Sequence, residues 1–203
     1  MTLPPPQSTP FLNIAATCIG TEALGPGWRA AVWVQGCRFR CPGCIAPDWQ
    51  TLKVADLITP QDLAAKILDD PDITGLTISG GEPFLQAAGL AHLVRLLRSE
   101  RDLDVISFSG YPLFRLETMH SAGVTALLSE LDVLVDGPYS QRHNNGRGLR
   151  GSTNQTIHYL TDRLKGCDLE NTPRQVDLHI GKSDIMMVGI PTPAIREALD
   201  GII

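Results

Sequence analysis

Three thiols lie close together in the stretch CRFRCPGC, which spans Cys37 to Cys44 and is separated by two residues from the apolar run Ala30–Val34. Thiols this crowded indicate metal-ligand chemistry, because zinc and iron–sulfur clusters select soft thiolates. A structural zinc site is closed by four ligands, and a ferredoxin cluster is held by four thiolates. Three thiolates on one loop can instead hold three corners of a four-iron cluster. The fourth iron is then open to a substrate or a cofactor.

The remaining cysteines leave a zinc site open as the alternative, with Cys18, Cys167 or a histidine as the fourth ligand. These two cysteines are too few to hold a second three- or four-cysteine cluster beside the first. We expect both to be buried like small apolar residues rather than to act as ligands. The histidines show no ligand spacing, and no role is assigned to them.

Composition and charge restrict the class of protein. The net charge of −5 argues against a general nucleic-acid binder, because phosphate contact requires a basic face. No apolar stretch approaches the roughly 20 residues of a membrane span. The start, Met1–Pro6, lacks the basic and apolar regions of a signal peptide and is expected to be a short, poorly ordered lead-in. Crowded free thiols predict a reducing, cytoplasmic location.

Strands and helices alternate along the chain in the manner of right-handed β-α-β units, which predicts an α/β fold with a mostly parallel sheet. The predicted parallel strands are Ala30–Gln35, Leu76–Ser79, Asp104–Phe108 and Asp132–Val135. The apolar segment Phe11–Ala16 is expected to form a first strand or an edge. Parallel sheets place their chemistry at the carboxyl ends of the strands, and the cysteine loop follows the first of these four.

Helix signals separate the predicted strands. Thr59 and Pro60 are typical of an N-cap and a first helical position, and a second helix is predicted over Gln86–Arg98. A third helix carries the apolar residues of Leu113–Leu116 and is expected to end at Gly123.

The chain after the fourth strand gives weaker signals. Gln141–Gln155 is rich in glycine, asparagine and arginine, and it is long enough to be a functional or a mobile loop. Val176–Ile180 and Ile185–Val188 are predicted to pair as a hairpin joined at Gly181-Lys182. Thr192–Leu199 can form a last helix.

A second motif, Gly80-Gly81-Glu82-Pro83, follows the second predicted parallel strand and therefore lies on the same sheet edge as the cysteines. Two glycines let backbone amides and carbonyls approach a ligand closely, while Glu82 and Pro83 stiffen the turn. A plain strand-to-helix turn is the alternative, and it accounts well for a lone glycine pair. It accounts less well for a pair that follows a cysteine loop in this order.

Together the cysteine spacing and this turn resemble the signature of the radical S-adenosylmethionine (SAM) superfamily. In that superfamily three cysteines hold a four-iron cluster whose free iron chelates the amino and carboxylate groups of SAM. One electron then cleaves the sulfonium to give a 5′-deoxyadenosyl radical, so no catalytic side chain is demanded. The resemblance implies a partial (β/α) barrel, a [4Fe-4S] cluster on Cys37, Cys41 and Cys44, and SAM bound against Gly80, Gly81, Glu82 and Pro83.

Further motifs resemble one branch of that superfamily, the activating proteins of anaerobic ribonucleotide reductase. In chain order they are Gly25–Arg29, Trp33–Cys37, Cys41–Cys44, Gly80–Pro83, Ser109–Tyr111, Asp132–Gly137 and Arg150–Gln155. The resemblance runs from about Phe11 to Ile157. It implies that the radical takes a hydrogen atom from a glycine of a partner glycyl-radical enzyme, with a flavodoxin or a ferredoxin as the electron donor.

Single residues acquire expected roles from the resemblance. Gly43 stands where most of the superfamily has an aromatic residue near adenine, and the activase branch has glycine there. Ser109 is expected near the SAM carboxylate or ribose, or it satisfies backbone groups at the end of its strand. Asp136 is expected either near SAM or as a cap of the following turn. Contacts to a substrate or partner are assigned to Arg150, Ser152, Asn154 and Gln155.

One radical SAM domain is predicted over residues 1–203, with a core of about 11–157 and a C-terminal β/α extension of about 160–203. The resemblance does not cover the extension, which can recognise a different partner. Two alternatives therefore stay open. One is a radical SAM enzyme that modifies a small molecule or a peptide, and the other is a non-catalytic module that binds zinc or an iron–sulfur cluster.

Overall fold

The computed structural model describes residues 11–181 and 185–200. Its strands are β1 (Leu12–Thr21), β2 (Arg29–Val34), β3 (Asp56–Ile58), β4 (Gly75–Gly80), β5 (Asp104–Ser109), β6 (Val133–Asp136), β7 (Thr156–Tyr159), β8 (Val176–Ile180) and β9 (Ile185–Gly189). Its helices are α1 (Pro60–Leu68), α2 (Ala87–Glu100), α3 (Leu113–Thr118), α4 (Ala122–Leu128) and α5 (Pro193–Asp200). The predicted lead-in Met1–Pro6 and Lys182 of the predicted hairpin turn lie outside the described residues. None of the helices in the described part of the chain has the length and apolar character that a membrane span requires.

Seven strands form one sheet in the order β3-β1-β2-β4-β5-β6-β7. The central strands β2, β4, β5 and β6 run parallel, whereas β3, β1 and β7 join the sheet through antiparallel pairs. A mixed α/β fold with a mostly parallel centre is therefore confirmed. Strand order does not establish the curvature and closure of a barrel, so the partial (β/α) barrel stays a prediction.

The register of the sheet brings the carboxyl ends of the parallel strands to one edge. Val34 at the end of β2 pairs with Gly80 at the end of β4, and Ser109 of β5 pairs with Asp136 of β6. The cysteine loop, the Gly80–Pro83 turn and the turns after β5 and β6 therefore emerge side by side. This is the edge that was predicted to carry the chemistry.

Strand β2 is buried on both faces of the sheet, which explains its continuous apolar sequence. Val32 packs in the largest core cluster together with apolar residues of α1, α2 and α4. The next residue, Trp33, faces the opposite side and packs in a second cluster with Val188 of β9. The C-terminal hairpin therefore covers the face of β2 that the helices leave free.

The predicted helix N-cap at Thr59 is confirmed, whereas the predicted helix end at Gly123 is wrong. The Thr59 hydroxyl oxygen accepts a hydrogen bond from the Asp62 amide at 3.1 Å and caps α1. The third predicted helix is two helices, because Ser121 caps a separate α4 and Gly123 lies inside it. A Cβ at Gly123 would lie 3.1 Å from the Cβ of Ala88, so glycine allows α4 to approach α2 rather than ending a helix.

Two short edge strands were not predicted. β3 pairs with β1, and β7 pairs with β6, each over three or four residues. The C-terminal hairpin is confirmed as an antiparallel pair of β8 and β9, and the last helix is confirmed as α5.

Candidate active site

A cavity of about 650 Å³ opens at the carboxyl edge of the sheet. Its walls come from the turns after the parallel strands and from the C-terminal extension. The predicted site residues that line it are Cys37, Cys41, Cys44, Gly80, Gly81, Glu82, Ser109 and Gln155. The predicted site residues outside its lining are Gly43, Pro83, Asp136, Arg150, Ser152 and Asn154. The cavity thus brings the predicted cluster ligands and the predicted SAM turn together.

Backbone hydrogen bonds close the cysteine loop at its base. The Cys37 amide donates to the Gln50 carbonyl at 3.0 Å, so the 3-10 helix Pro47–Gln50 returns the chain to the end of β2. Inside the loop, the Cys44 amide donates to the Cys41 carbonyl at 3.1 Å. The three thiols therefore lie on a short loop that is tied at both ends.

The ring of Phe39 fixes the cysteine loop against the neighbouring turn. Phe39 contacts Tyr111 edge to face, with ring centroids 4.7 Å apart. A Cβ at Gly110 would lie 2.5 Å from the Phe39 ring, which is closer than real Cβ contacts. Glycine at this position is therefore needed for the loop after β2 to pack on the turn after β5.

Cys37 and Cys41 are half-buried, and burial changes the pKa of both thiols in the metal-free protein. Burial raises the pKa of the Cys37 thiol, and the charges of Glu82, Cys41 and Cys44 raise it further. Burial also raises the pKa of the Cys41 thiol. Three crowded thiolates need a positively charged partner, and iron bound to them supplies that charge.

The spacing of the thiols bears on the zinc alternative. Within residues 11–181 and 185–200, no three His, Cys, Asp or Glu side chains converge closely enough to hold one metal ion. A zinc site draws its ligands around a single centre, whereas a four-iron cluster spreads three thiolates over three irons. The fit to a cluster rests on the donor set itself, since three soft thiols on one loop are ligands that iron–sulfur clusters select.

The Gly80–Pro83 turn lies directly on the base of the cysteine loop. The Gly81 amide donates to the Val34 carbonyl at 2.7 Å, and the Glu82 amide donates to the Gly36 carbonyl at 2.8 Å. A Cβ at Gly80, whose φ is +99°, would lie 2.5 Å from the Val34 nitrogen. The glycine pair is thus required for the backbones at the ends of β2 and β4 to pack closely. This requirement is separate from the predicted approach of a ligand.

Glu82 was predicted to stiffen its own turn, and its side chain also binds the neighbouring turn after β5. Its buried carboxylate accepts hydrogen bonds from the Phe84 amide at 3.0 Å, the Ser109 hydroxyl at 3.0 Å and the Gly110 amide at 2.8 Å. Burial raises the pKa of Glu82 to about 7, although these three donors oppose the shift. The side chain links the turns after β4 and β5, and a contact with SAM stays a prediction.

Ser109 and Asp136 are both occupied by contacts within the protein. The Ser109 oxygen accepts a hydrogen bond from the Tyr111 amide at 3.0 Å while its hydroxyl donates to Glu82. The Asp136 carboxylate accepts a hydrogen bond from the Leu113 amide at the start of α3, and it lies 2.9 Å from the His158 Nε2. Asp136 therefore holds α3 rather than the turn that follows it in the chain. Roles of Ser109 and Asp136 toward SAM stay predictions.

The Arg150–Gln155 element ties its own loop to the turn after β6. Asn154 donates to the Pro138 carbonyl and Gln155 donates to the Gly137 carbonyl, both at 2.8 Å. Further bonds hold the element together: the Ser152 oxygen accepts from the Ser140 amide at 3.1 Å, and the Arg150 Nη1 donates to the Gln155 carbonyl at 3.2 Å. Contacts of these residues with a partner stay a prediction.

The C-terminal extension supplies one wall of the cavity, which was not predicted. Its lining residues are Gly189, Ile190, Pro191, Pro193, Arg196 and Glu197. The Arg196 Nη1 donates to the Gly43 carbonyl at 2.9 Å, and a Cβ at Gly43 would lie 2.5 Å from the Gln141 Oε1. Gly43 is therefore held between the loop after β6 and α5. A single arginine in a C-terminal helix has no spacing pattern that sequence reasoning can detect.

A second hollow reaches Cys37 from outside the main cavity. It is lined by Cys37, Arg38, Arg40, Pro47, Gln50, Thr51 and Leu52. Both arginine side chains and Leu52 are exposed. One predicted cluster ligand is therefore shared by the main cavity and by a hollow with a cationic rim.

The two other cysteines lie away from the main cavity's lining. Cys18 is buried in the cluster of Trp33 and Val188, and burial raises the pKa of its thiol to about 11. Cys167 is half-buried and packs against the apolar cluster around β6 and β7. The burial of Cys18 agrees with the expectation, whereas Cys167 is less buried than expected.

Comparison with known proteins places the chain in a family. The family described as 4Fe-4S single cluster domain matches residues 23–158. The anaerobic ribonucleoside-triphosphate reductase-activating protein of Vibrio cholerae is 36% identical over 146 residues, which cover 68% of this chain and 91% of that protein. The chain belongs to this family of activating proteins. The resemblance seen in the motifs is thus confirmed.

Two further relatives are consistent with this membership. The activating protein of the same name from Escherichia coli K12 is 31% identical over 144 residues, which cover 67% of this chain and 91% of that protein. A pyruvate formate-lyase-activating enzyme from Clostridium pasteurianum is 31% identical over 132 residues, covering 63% of this chain and 54% of that enzyme. The family match contains all three loop cysteines and the Gly80–Pro83 turn, while β8, β9 and α5 lie beyond it.

Proposed function

We propose that this protein is a radical SAM activase that generates a glycyl radical on an anaerobic ribonucleotide reductase. The observation that carries the proposal is the shared cavity, in which three thiols of one loop lie beside the glycine turn of the neighbouring parallel strand. The names of the relatives support the choice of partner, because the chain spans 91% of the Vibrio cholerae activating protein.

Each part of the cavity has a distinct task. Cys37, Cys41 and Cys44 bind a [4Fe-4S] cluster, and the backbone of Gly80–Pro83 receives SAM. When bound, the cluster supplies the electron that cleaves SAM to a 5′-deoxyadenosyl radical, which takes a hydrogen atom from a glycine of the partner. The protein contributes positioning and the exclusion of water and oxygen. The apolar part of the lining suits that exclusion and includes Leu24, Trp33, Phe108 and Ile190.

The proposal extends to the organisation of the chain. Residues 1–203 form one radical SAM domain with a core of about 11–157, a C-terminal extension of about 160–203, and a central sheet that is part of a partial (β/α) barrel. One continuous sheet from β3 to β7 and the packing of Val188 on Trp33 support a single unit. A cytoplasmic location suits a cluster that oxygen destroys.

The electron comes from an external flavodoxin or ferredoxin in this proposal. The second hollow supports a docking place, since it reaches Cys37 and carries the exposed side chains of Arg38 and Arg40. A cationic rim attracts an acidic carrier protein and speeds its encounter at low salt.

Anaerobic reconstitution with iron and sulfide tests the proposal. We expect a brown protein that cleaves SAM to 5′-deoxyadenosine under reduction and yields a glycyl-radical EPR signal on an anaerobic ribonucleotide reductase. With a reductase deuterated at its glycines, the deuterium should appear in 5′-deoxyadenosine. Cys41→Ala should abolish cluster absorbance and SAM cleavage, whereas Cys167→Ala should preserve both.

Two outcomes would replace the proposal by an alternative. A colourless, zinc-loaded protein indifferent to SAM would indicate a non-catalytic binding module. SAM cleavage without a radical on any glycyl-radical enzyme would indicate a radical SAM enzyme that modifies a small molecule or a peptide.

A further inference from the structure

Arg196 is the single basic side chain among the described residues that line the main cavity. It lies on α5, outside the part of the chain that matches the 4Fe-4S family. The other ionisable groups of this lining are the three loop cysteines, Tyr139, Glu82 and Glu197. Arg196 therefore supplies the cationic side chain to a cavity whose other groups are neutral or negative.

The contact of Arg196 is directed at the cysteine loop. Its Nη1 donates to the Gly43 carbonyl at 2.9 Å, between the second and third cysteines of the triad. The helix backbone holds Arg196 in turn, since its amide donates to the Thr192 carbonyl at 3.0 Å. A charged donor on a carbonyl makes a stronger bond than a neutral one, particularly in a half-buried place.

We propose that Arg196 is a positioning residue that fixes the Cys41–Cys44 turn and favours the reduced state of the cluster. This inference rests on the proposed function. Reduction adds one negative charge to a cluster that three thiolates already make electron-rich. A guanidinium held beside the ligand turn stabilises that added charge, and net charge and hydrogen bonding near the sulfurs set the potential of such clusters.

The two parts of the proposal can be separated by substitution. Arg196→Lys keeps the positive charge but loses the fork of the guanidinium. Arg196→Gln keeps an N–H donor and loses the charge, and Arg196→Ala loses both. Lys66→Gln is the matched control, because Lys66 is exposed in the last turn of α1, which leads to the start of β4 at the opposite sheet edge.

The first measurement is an EPR-monitored redox titration of each reconstituted protein without SAM. At a fixed potential, we expect Arg196→Gln and Arg196→Ala to lower the ratio of reduced to oxidised cluster about tenfold, which is about 59 mV for a one-electron couple. Arg196→Lys and Lys66→Gln should stay within about threefold of the parent protein. Glu197→Gln should shift the ratio in the opposite direction, since it removes a negative charge from the same wall.

The second measurement needs no cluster. In the metal-free protein, amide hydrogen exchange over residues 41–46 should accelerate in Arg196→Ala but not in Lys66→Gln, because the tether to Gly43 is lost.

An unchanged redox ratio in Arg196→Gln and Arg196→Ala, with intact clusters, would overturn the electrostatic part and leave the proposed function standing. Unchanged exchange in Arg196→Ala would overturn the positioning part. Failure of the parent protein to hold any cluster would remove the proposed function itself and this inference with it.

Discussion

The Glu82 carboxylate accepts a hydrogen bond from the Gly110 amide at 2.8 Å and thereby joins the turns after β4 and β5. The Ser109 hydroxyl bonds to the other carboxylate oxygen at 3.0 Å. Gly110 also leaves the space that the Phe39 ring of the cysteine loop occupies, since a Cβ there would lie 2.5 Å from the ring. One buried side chain therefore connects the predicted SAM turn to the turn on which the cysteine loop rests.

Burial of Glu82 predicts a pH-dependent stability. Its pKa is raised from 4.5 to about 7 in the folded protein. Between these pH values the Glu82 carboxyl is mostly ionised in the unfolded chain and mostly protonated in the folded protein. The free energy of unfolding should therefore fall as pH rises from about 4.5 to about 7, by about 3 kcal/mol at most, and then level. Glu82→Gln should flatten this slope in anaerobic urea titrations of the metal-free protein.

The matched control for that prediction is Glu100→Gln, because Glu100 is exposed at the end of α2. The slope, rather than the absolute stability, is the quantity to compare, since the amide also loses one of the bonds that the carboxylate accepts. Equal slopes in the parent protein and Glu82→Gln would show that another group titrates.

Gly110→Ala should displace the cysteine loop. The new methyl group would lie 2.5 Å from the Phe39 ring, and such overpacking costs about 1–3 kcal/mol. We expect a clear loss of iron per chain after reconstitution, measured by iron assay, and a partial recovery when Phe39→Leu is added. Gly166→Ala is the control, since nothing lies within 4 Å of its new Cβ. Normal iron content in Gly110→Ala would contradict the role of Phe39.

Reversal of charge at Arg38 and Arg40 should slow reduction by a carrier protein. Both side chains are exposed beside the hollow that reaches Cys37. In Arg38→Glu/Arg40→Glu, stopped-flow reduction by flavodoxin should slow about tenfold or more at low salt and approach the parent rate at high salt. Reduction by dithionite at high salt should be unaffected. An equal loss with both reductants would mean that the cluster, and not the docking, has changed.

Asp136 should act mainly through α3. Asp136→Ala removes the acceptor for the Leu113 amide and the partner of His158, and should lower the free energy of unfolding by about 1–2 kcal/mol. Asp136→Asn keeps an acceptor and should recover much of this loss. SAM affinity, measured by calorimetry on the reconstituted protein, should remain within about twofold in Asp136→Asn. A tenfold loss would place the carboxylate on the cofactor instead.

The parallel strands were predictable because each is a short apolar run that ends in a glycine-containing turn. The same feature placed the cysteines and Gly80–Pro83 at one edge, since parallel strands present their carboxyl ends together. The edge strands β3 and β7 were not predictable, because three or four residues carry too little periodicity and depend on pairing with distant strands.

The parts of the site that sequence reasoning missed depend on long-range contacts. Arg196 reaches Gly43 across 153 residues of chain, and no local pattern specifies that pairing. The three bonds to Glu82 likewise come from two different turns. Gly123 was misassigned because a glycine that ends a helix and one that admits a neighbouring helix look the same in sequence.

The two backbone hydrogen bonds between the ends of β2 and β4 have a practical consequence. The amide hydrogens of Gly81 and Glu82 are held by the carbonyls of Val34 and Gly36, which border the first cysteine. A shift of these residues that breaks the two bonds exposes both amide hydrogens to solvent. The exchange rates of these two amides therefore report the geometry of the cysteine loop. NMR can measure them in the diamagnetic, iron-free protein before any cofactor is added.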